Sequence, residues 1–301
     1  MTTVATSLAH LLPEAAIAAL LPDEDRFSYI DSDRWLPYQR ANQVIALLED
    51  FLKRPRINRP PNMMLVGRSD NGKSHILEHF ANLHPGVMNS EGPNITAQVM
   101  LLETPPTANA NDLYDTILYM LNQPRPANKS RESRRDAAKD ILRNVGTKIL
   151  MLDEINHLLS GNLNRQREFL FALKHLSNEL RMSVVIAGTP ESLQLLHVSD
   201  QIENRFRPEP LPLWVVGLEM RTLLANFEQV LPLRQPSSLS RKETAVLIHS
   251  FGIETIGGFS NILNRAAKEA ITSGTECITA DILRKCAPKT SSERKLERSR
   301  L

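Results

Sequence analysis

One motif constrains what this chain can fold into more than any other feature. Residues 67–74, GRSDNGKS, fit the phosphate-loop pattern G-x-x-x-x-G-K-[ST]. The apolar run Asn62–Val66 precedes the motif, and a helical pattern over Lys73–Leu83 overlaps its end. A strand, a loop that contains glycine and a helix N-terminus, in this order, surround phosphate oxygens with backbone N–H groups and the positive end of the helix dipole. We therefore predict a nucleotide-binding site.

The predicted nucleotide ligands are the motif itself and the residue that follows it. They are Gly67, Arg68, Ser69, Asp70, Asn71, Gly72, Lys73, Ser74 and His75. Lys73 is placed to reach the β- and γ-phosphates, and the Ser74 hydroxyl to bind Mg²⁺, so the expected cofactors are ATP and Mg²⁺. Residues 75–79 also match the H-x-x-E-H pattern of a zinc-peptidase family. Because the motif already commits this helix start to phosphate, we favour phosphate over zinc.

A second apolar run, residues 148–152, ends in the adjacent acids Asp153 and Glu154. Open α/β sheets bind their ligands at the carboxyl ends of such strands. Asp153 is suited to hold Mg²⁺ through its water shell, and Glu154 to orient and deprotonate the water that attacks the γ-phosphorus. A further strand, predicted over 183–187, leads to Thr189. Its hydroxyl is predicted to reach the γ-phosphate or the attacking water.

Two arginines follow in the segment 200–207, DQIENRFR. A phosphoryl group that gains charge during transfer is stabilised by a nearby arginine. Arg205 is the first candidate for this catalytic finger, and Arg207 is the second. A finger supplied by a neighbouring subunit would make hydrolysis depend on assembly.

Short apolar runs alternate with helical patterns over the central part of the chain. The predicted strands are 62–66, 97–102, 147–152 and 183–187, and the predicted helices between them are 73–83, 111–121, 131–144 and 165–180. This alternation is typical of an α/β fold whose parallel sheet is flanked by helices. From Leu218 onward only helical patterns appear, which predicts a small α-helical domain. The expected regions are an acidic N-terminal segment (1–33), an α/β nucleotide-binding core with an N-terminal linker (34–214), the helical domain (215–287) and a basic flexible tail (288–301).

Charge is unevenly distributed, although 36 Lys and Arg nearly balance 34 Asp and Glu. The acidic N-terminus and the basic tail are candidate docking segments for protein partners, because of their charge and their expected flexibility. Cations also recur on the helix predicted over 131–144 and just before it, where they are candidate contacts for duplex DNA. These residues are Lys129, Arg131, Arg134, Arg135 and Lys139. A solvated helix laced with charge pairs is the alternative.

The remaining composition argues for a cytoplasmic protein. Two cysteines, Cys277 and Cys286, make no disulfide framework and suit a reducing compartment. No apolar run approaches the roughly 18 to 20 residues that span a bilayer. The N-terminus lacks the basic region of a signal peptide. We therefore expect no membrane segment.

The order of these motifs resembles an AAA+ ATPase core followed by its helical lid, over residues 62–286. Five stretches sharpen the resemblance, at 33–41, 59–62, 70–73, 164–170 and 176–180. Together they are similar to the TniB family of transposition proteins, relatives of the TnsC regulators. The resemblance implies an ATP-bound protein that assembles with copies of itself on duplex DNA, as a ring or a helical filament. It also implies two protein partners, a DDE-type transposase and a small TniQ-like targeting protein, with ATP hydrolysis controlling disassembly.

The resemblance also assigns a role to individual motif residues. By motif, Asp153 holds Mg²⁺, Glu154 promotes hydrolysis, Thr189 is the first sensor and Arg205 is the finger. The family commonly has the reverse order of the Asn-His pair at 156–157, and no arginine is assigned as second sensor.

Two other functions stay open at this point. A helicase loader of the AAA+ type shares the phosphate loop and the finger, but it acts on a replicative helicase and prefers single strands. A P-loop signalling switch uses nucleotide to control protein contacts without DNA. Duplex binding measured with ATP, with ADP and without nucleotide separates the three.

Overall fold

A computed structural model describes residues 8–88, 95–123 and 130–288. The chain divides into two compact units. The core unit is Arg40–Pro212. The helical unit combines the described residues up to Gln39 with those from Leu213 onward. Residues 34–39, which the sequence placed with the core, belong to the helical unit.

The helices of the described chain are as follows. They are α1 (Pro13–Ala18), α2 (Asp23–Asp31), α3 (Gln39–Lys53), α4 (Lys73–Leu83), α5 (Ala110–Met120), α6 (Arg131–Asn144), α7 (Leu163–Leu180), α8 (Asp200–Glu203), α9 (Leu218–Val230), α10 (Lys242–Ser250), α11 (Ile256–Thr272) and α12 (Ala280–Cys286). Two 3₁₀ segments, Ile155–Ser160 and Pro190–Val198, complete them. No helix among the described residues is long and apolar enough to cross a membrane.

Five parallel strands form the sheet of the core unit. The strands of the unit are β1 (Asn62–Val66), β2 (Val87–Met88), β3 (Ile95–Thr96), β4 (Val99–Glu103), β5 (Ile149–Asp153), β6 (Ser183–Gly188) and β7 (Phe206–Pro210). The sheet order is β4-β5-β6-β1-β7, while β2 and β3 form a separate antiparallel pair. This parallel sheet flanked by helices, followed by further helices, confirms the predicted fold class.

Burial explains which strands the sequence revealed. Every residue of β1 and of β6 is buried, and these strands read as continuous apolar runs, as expected for strands covered on both faces. β7 is an edge strand of sequence FRPEP, mostly outside the core. Proline lacks the N–H that a central strand needs, so an edge position suits Pro208 and Pro210. We predicted no strand there, because neither the polarity nor the prolines signal one.

The ends of the parallel strands define two further edges of the sheet, which differ from its edge strands. Asn62, the first residue of β1, lies opposite Phe206, and Val66, the last, lies opposite Pro210. All five strands therefore end at one edge, the carboxyl edge, and begin at the other, the amino edge. At about 3.3 Å per residue, the two ends of β1 are about 13 Å apart.

The acidic N-terminal segment is folded within the helical unit. Ile30 on α2 is fully buried in the same apolar cluster as Phe259. The fully buried Arg26 donates to the Pro232 carbonyl and forms an ion pair of 2.5 Å with Glu276. The expected flexibility of the N-terminal segment is therefore wrong for the described part of residues 1–33, and its role in docking partners stays a prediction. The tail from residue 289 onward lies outside the described residues.

Candidate nucleotide-binding site

The phosphate loop leaves the carboxyl edge of the sheet between β1 and α4. Gly72, just before the helix, has a φ of 83°, in the left-handed region where glycine is favoured. The amide of Gly67 donates to the carbonyl of Gly188 over 3.2 Å, which ties the loop to the end of β6. A Cβ at position 67 would approach the Leu211 Cβ to 3.1 Å. The left-handed backbone conformation thus explains Gly72, and the close approach of Leu211 explains Gly67.

Lys73 is buried beneath this loop, with 5% of its surface exposed. Its Nζ donates to the carbonyls of Gly67 and Arg68, each over 3.0 Å. Burial lowers the pKa of Lys73, and the nearby charges of Glu154 and Asp153 act in the opposite direction. The ammonium is therefore bonded to the loop and feels the charges of the acid pair, and phosphate oxygens can take the place of the two carbonyls.

Asn71 anchors the loop to the chain that follows β7. Its Nδ2 donates to the carbonyls of Leu211 and Pro212, each over 3.1 Å. Its Oδ1 is buried and has no hydrogen-bond partner within the described chain. An unpaired buried acceptor costs about 1–3 kcal/mol, so a donor from a bound group would stabilise this loop.

The acid pair sits on a sharp turn at the end of β5. Glu154 has φ 53° and ψ 43°, left-handed values that are costly for a residue with a side chain. Its amide donates to Asp153 Oδ1 over 2.8 Å. Thr104, at the end of the neighbouring strand, donates from its amide and its hydroxyl to the Asp153 carbonyl, over 2.9 and 2.5 Å. His157 Nδ1 lies 3.0 Å from the Thr104 carbonyl. These bonds hold the strained turn in place.

Thr189 follows β6 at the same edge. The preceding Gly188 cannot be larger, since a Cβ there would lie 2.6 Å from Ile155 Cγ2 and 2.8 Å from Ser192 Oγ. A hydrogen bond with Thr189 holds the pKa of Glu191 below its ordinary value, and the charge of Arg68 adds to the effect. The strand ends therefore bring the loop, the acid pair and Thr189 to one edge.

The two candidate finger arginines lie at the opposite edge. Arg205 immediately precedes β7, whose first residue pairs with the first residue of β1 rather than with its loop end. Its Nη2 donates to Asn178 Oδ1 and approaches Ser177 Oγ at 3.5 Å. Arg207 is 85% exposed and lies 3.5 Å from Glu209. The fold therefore does not bring either arginine to the phosphate loop of its own chain.

Comparison with known proteins now identifies the family. A sequence model described as "Bacterial TniB protein" matches residues 26–216. The chain belongs to the TniB family. Among curated proteins, none matches it significantly in sequence.

Solved structures show the fold of this TniB-family chain. It is similar to the ORC2 protein of Aeropyrum pernix in ADPNP and ADP complexes, at 14% identity and a TM-score of 0.57, covering 88% of this chain and 73% of that one. Cdc6p of Pyrobaculum aerophilum is 18% identical and has a TM-score of 0.58, with 86% of this chain and 69% of that chain covered. The Aeropyrum pernix ORC1 protein in complex with DNA is 14% identical and has a TM-score of 0.54, with 86% of this chain and 68% of that chain covered. The similarity supports an AAA+ fold.

Carboxylates neutralise the basic helix of the TniB-family chain. In the described structure, each cation predicted on α6 lies near an acid. The ion pairs are Arg131–Glu168, Arg134–Asp115, Arg135–Asp136, Lys139–Asp136 and Lys139–Glu179. Lys129 lies outside the described residues. This arrangement is the one expected for a solvated helix with charge pairs, and the assignment of these residues to DNA stays a prediction.

Several residues of the site escaped the sequence analysis. Thr104 supports the acid pair, and Glu191 forms a hydrogen bond with Thr189. His157, which the sequence analysis noted only as part of the Asn-His pair and gave no role, contacts the Thr104 carbonyl. Thr104 lies two residues after the apolar run predicted over 97–102, so a polar residue close to the end of a strand is the signal that points to it. Glu191 carried no such signal, because its role depends on the turn after β6.

Proposed function

We propose that this TniB-family protein is an ATP-dependent regulator of transposition. In this proposal ATP-bound copies assemble on duplex target DNA, as a ring or a helical filament. The assembly recruits or activates a DDE-type transposase, helped by a small TniQ-like targeting protein, and ATP hydrolysis controls disassembly in the cytoplasm. The observation that carries the nucleotide part is the buried Lys73, whose ammonium donates to two carbonyls of the phosphate loop. The nucleotide complexes of ORC2 and the DNA complex of ORC1 support nucleotide and DNA as ligands.

The side chains of the carboxyl edge fit ATP and Mg²⁺. Lys73 and the amides at the start of α4 are assigned to the β- and γ-phosphates. Ser74 and Asp153 supply the oxygen ligands that Mg²⁺ takes. When bound, the metal ion would offset the negative charge of the phosphate oxygens.

Hydrolysis is assigned to the residues around the terminal phosphate. Glu154, fixed by the turn after β5, orients the attacking water and accepts its proton. Thr189 positions the water or the γ-phosphate from the end of β6. Arg205 lies at the amino edge, so it serves as a finger only for a nucleotide held by another copy. Hydrolysis therefore depends on assembly, and residues 215–287 of the helical unit are proposed as the lid.

Duplex binding under nucleotide control tests this proposal. Fluorescence anisotropy of a labelled random-sequence duplex is measured with a slowly hydrolysed ATP analogue, with ADP and without nucleotide, each over a salt series. We expect cooperative, salt-sensitive binding only with the ATP analogue, because phosphate contacts release counterions. Lys73→Ala should abolish it together with nucleotide binding. Preference for single strands would favour a helicase loader, and no DNA binding in any state would favour a signalling switch.

A further inference from the structure

A surface cavity of about 620 Å³ lies at the amino edge of the sheet. Three cations line it: Arg59 just before β1, Arg205 just before β7, and Lys174 on α7. Asp200 is the one carboxylate among its described lining residues. The cavity falls in the size range of small-molecule sites, about 300–1,000 Å³. Its excess of positive charge points to an anionic ligand.

Arg205 is fixed in this cavity without being neutralised. Its partners are the neutral oxygens of Asn178 and Ser177. The fully buried Ser177 donates in turn to Asn62 Oδ1, which also accepts the amide of Val184. The guanidinium is therefore tied to the beginnings of β1 and β6. Its Nε is buried and has no hydrogen-bond partner in the described chain.

Among the described residues, the other two cations also lack a carboxylate partner. Lys174 Nζ donates to the neutral Gln201 Oε1 over 2.5 Å and lies 5.3 Å from the ring centre of Phe171. Burial lowers the pKa of Arg205, and the like charge of Arg59 lowers it further. In the described part of the chain, none of the three cations lies within 4.0 Å of an acidic oxygen. A bound anion would remove this mutual repulsion and supply acceptors for the unpaired guanidinium nitrogen.

The position of the cavity excludes the nucleotide of the same chain. The phosphate loop follows the last residue of β1, whereas Arg59 and Arg205 precede the first residues of β1 and β7. The two edges are about 13 Å apart along β1. An anion in the cavity must therefore come from another molecule. When one copy contacts the next through different surfaces, the contact repeats into a ring or a filament.

We infer that Arg59 and Lys174 join Arg205 in a three-cation site for the terminal phosphates of a nucleoside triphosphate bound to a second copy of this chain. Asn178 is a positioning residue, because it holds the Arg205 guanidinium. This inference rests on the proposed function, since it requires the phosphate loop of each copy to hold ATP. Guanidinium groups bind phosphate through paired hydrogen bonds, and the lysine adds a point charge.

Single substitutions in the full-length protein test the two new cations. Arg59→Ala and Lys174→Ala are compared with Arg54→Ala, an exposed arginine of the same unit that pairs with Asp50. We expect the cavity variants at high dilution to bind a fluorescent ATP analogue with the affinity of the wild-type protein. Their rate of ATP hydrolysis on duplex DNA should fall about tenfold. Arg54→Ala should keep the wild-type rate. If both cavity variants hydrolyse ATP at the wild-type rate, the inference is overturned. If the wild-type protein does not bind the ATP analogue, the proposed function itself is overturned.

A mixing experiment shows whether the cavity acts on a neighbour. Glu154→Gln keeps the phosphate loop and the cavity but lacks the residue assigned to hydrolysis, and the double variant Arg59→Ala/Lys174→Ala keeps the loop and Glu154 but lacks two cations. Each protein alone should hydrolyse ATP poorly on duplex DNA. Their mixture should recover several-fold, because the first copy completes the site of the second. Absence of recovery would overturn the inference. A decrease in both the affinity for duplex DNA and its salt dependence in the double variant would also overturn the inference, because the ligand of the cavity would then be the phosphates of DNA.

Discussion

The basic helix α6 and the amino-edge cavity differ in what surrounds their positive charges. On α6, neighbouring helices supply carboxylates, as in Arg131–Glu168 and Lys139–Glu179. In the cavity, Arg205 and Lys174 donate only to amide and hydroxyl oxygens among the described residues. Five lysines and arginines lie on α6, and three line the cavity. What differs is the charge left for a ligand, and tertiary neighbours decide it.

Pairing also changes the cost of ligand binding. A phosphate that binds a paired arginine must displace a carboxylate, so it gains little beyond a weak surface ion pair. A phosphate that binds an unpaired, partly desolvated arginine relieves repulsion and displaces no acid. The cavity is therefore better prepared than α6 to hold phosphate, although α6 is the more conspicuous in sequence.

The largest expected effect comes from removing the central cation of the cavity. Arg205→Ala should lower the rate of ATP hydrolysis on duplex DNA by about a thousandfold, the lower end for an arginine finger. Arg134→Ala, which removes a paired arginine on α6, should leave the rate within about twofold. Steady-state phosphate release on saturating duplex measures both. An Arg205→Ala protein that hydrolyses ATP normally would break the comparison.

The buried ion pair between Arg26 and Glu276 in the helical unit is a third arrangement of charge, and its effect is measured as a change in the free energy of unfolding. Arg26→Ala would leave Glu276 as a largely buried charge without its main partner, and losing one member of such a pair costs about 3–5 kcal/mol. Chemical denaturation followed by circular dichroism measures the loss. An exposed pair offers the control, since Arg284→Ala, which separates Arg284 from Asp281, should cost less than about 1 kcal/mol.

The same pair predicts a pH dependence. Burial acts to raise the pKa of Glu276, but hydrogen bonds from Arg26 and the Arg234 amide, with the charges of both arginines, hold the pKa below the ordinary 4.5. A lowered folded-state pKa stabilises the protein above the unfolded value. The contribution is lost as the pH falls below about 4.5 through the folded pKa. Glu276→Gln should therefore flatten the fall in stability measured by denaturation at decreasing pH.

The sequence revealed those parts of the fold and site that are local in the chain. The phosphate loop and Asp153–Glu154 are contiguous motifs next to strands buried on both faces, so burial and motif appear together. β7 stayed hidden because its edge position tolerates prolines. The cavity brings together Arg59, Lys174 and Arg205, which only the pairing of β1 with β7 and the packing of α7 make neighbours. Three of the acids that pair with α6, Asp115, Glu168 and Glu179, are likewise remote in sequence, whereas Asp136 lies on the helix itself.

A carboxylate placed beside Arg205 would make the cavity resemble α6. Asn178→Asp supplies one at the atom that already accepts from Nη2. We expect hydrolysis on duplex DNA to fall by more than tenfold in Asn178→Asp and by less in Asn178→Ala, because the aspartate competes with phosphate for the guanidinium. The KM for ATP should stay unchanged in both, since the phosphate loop holds the nucleotide at the other edge. Equal rates in the two variants would show that Asn178 acts only through packing.

The smallest effect is expected from the reverse change on α6. Asp136 pairs with both Arg135 and Lys139, so Asp136→Asn leaves Arg135 unpaired and Lys139 with Glu179 alone. If pairing is what keeps this helix from binding phosphate, the variant should bind duplex DNA a few-fold more tightly, with a steeper dependence on salt. Anisotropy with the ATP analogue measures both quantities. A large loss of affinity in Arg135→Ala, by contrast, would show that the wild-type helix already binds DNA, as its sequence predicts, and that carboxylate pairing does not prevent it.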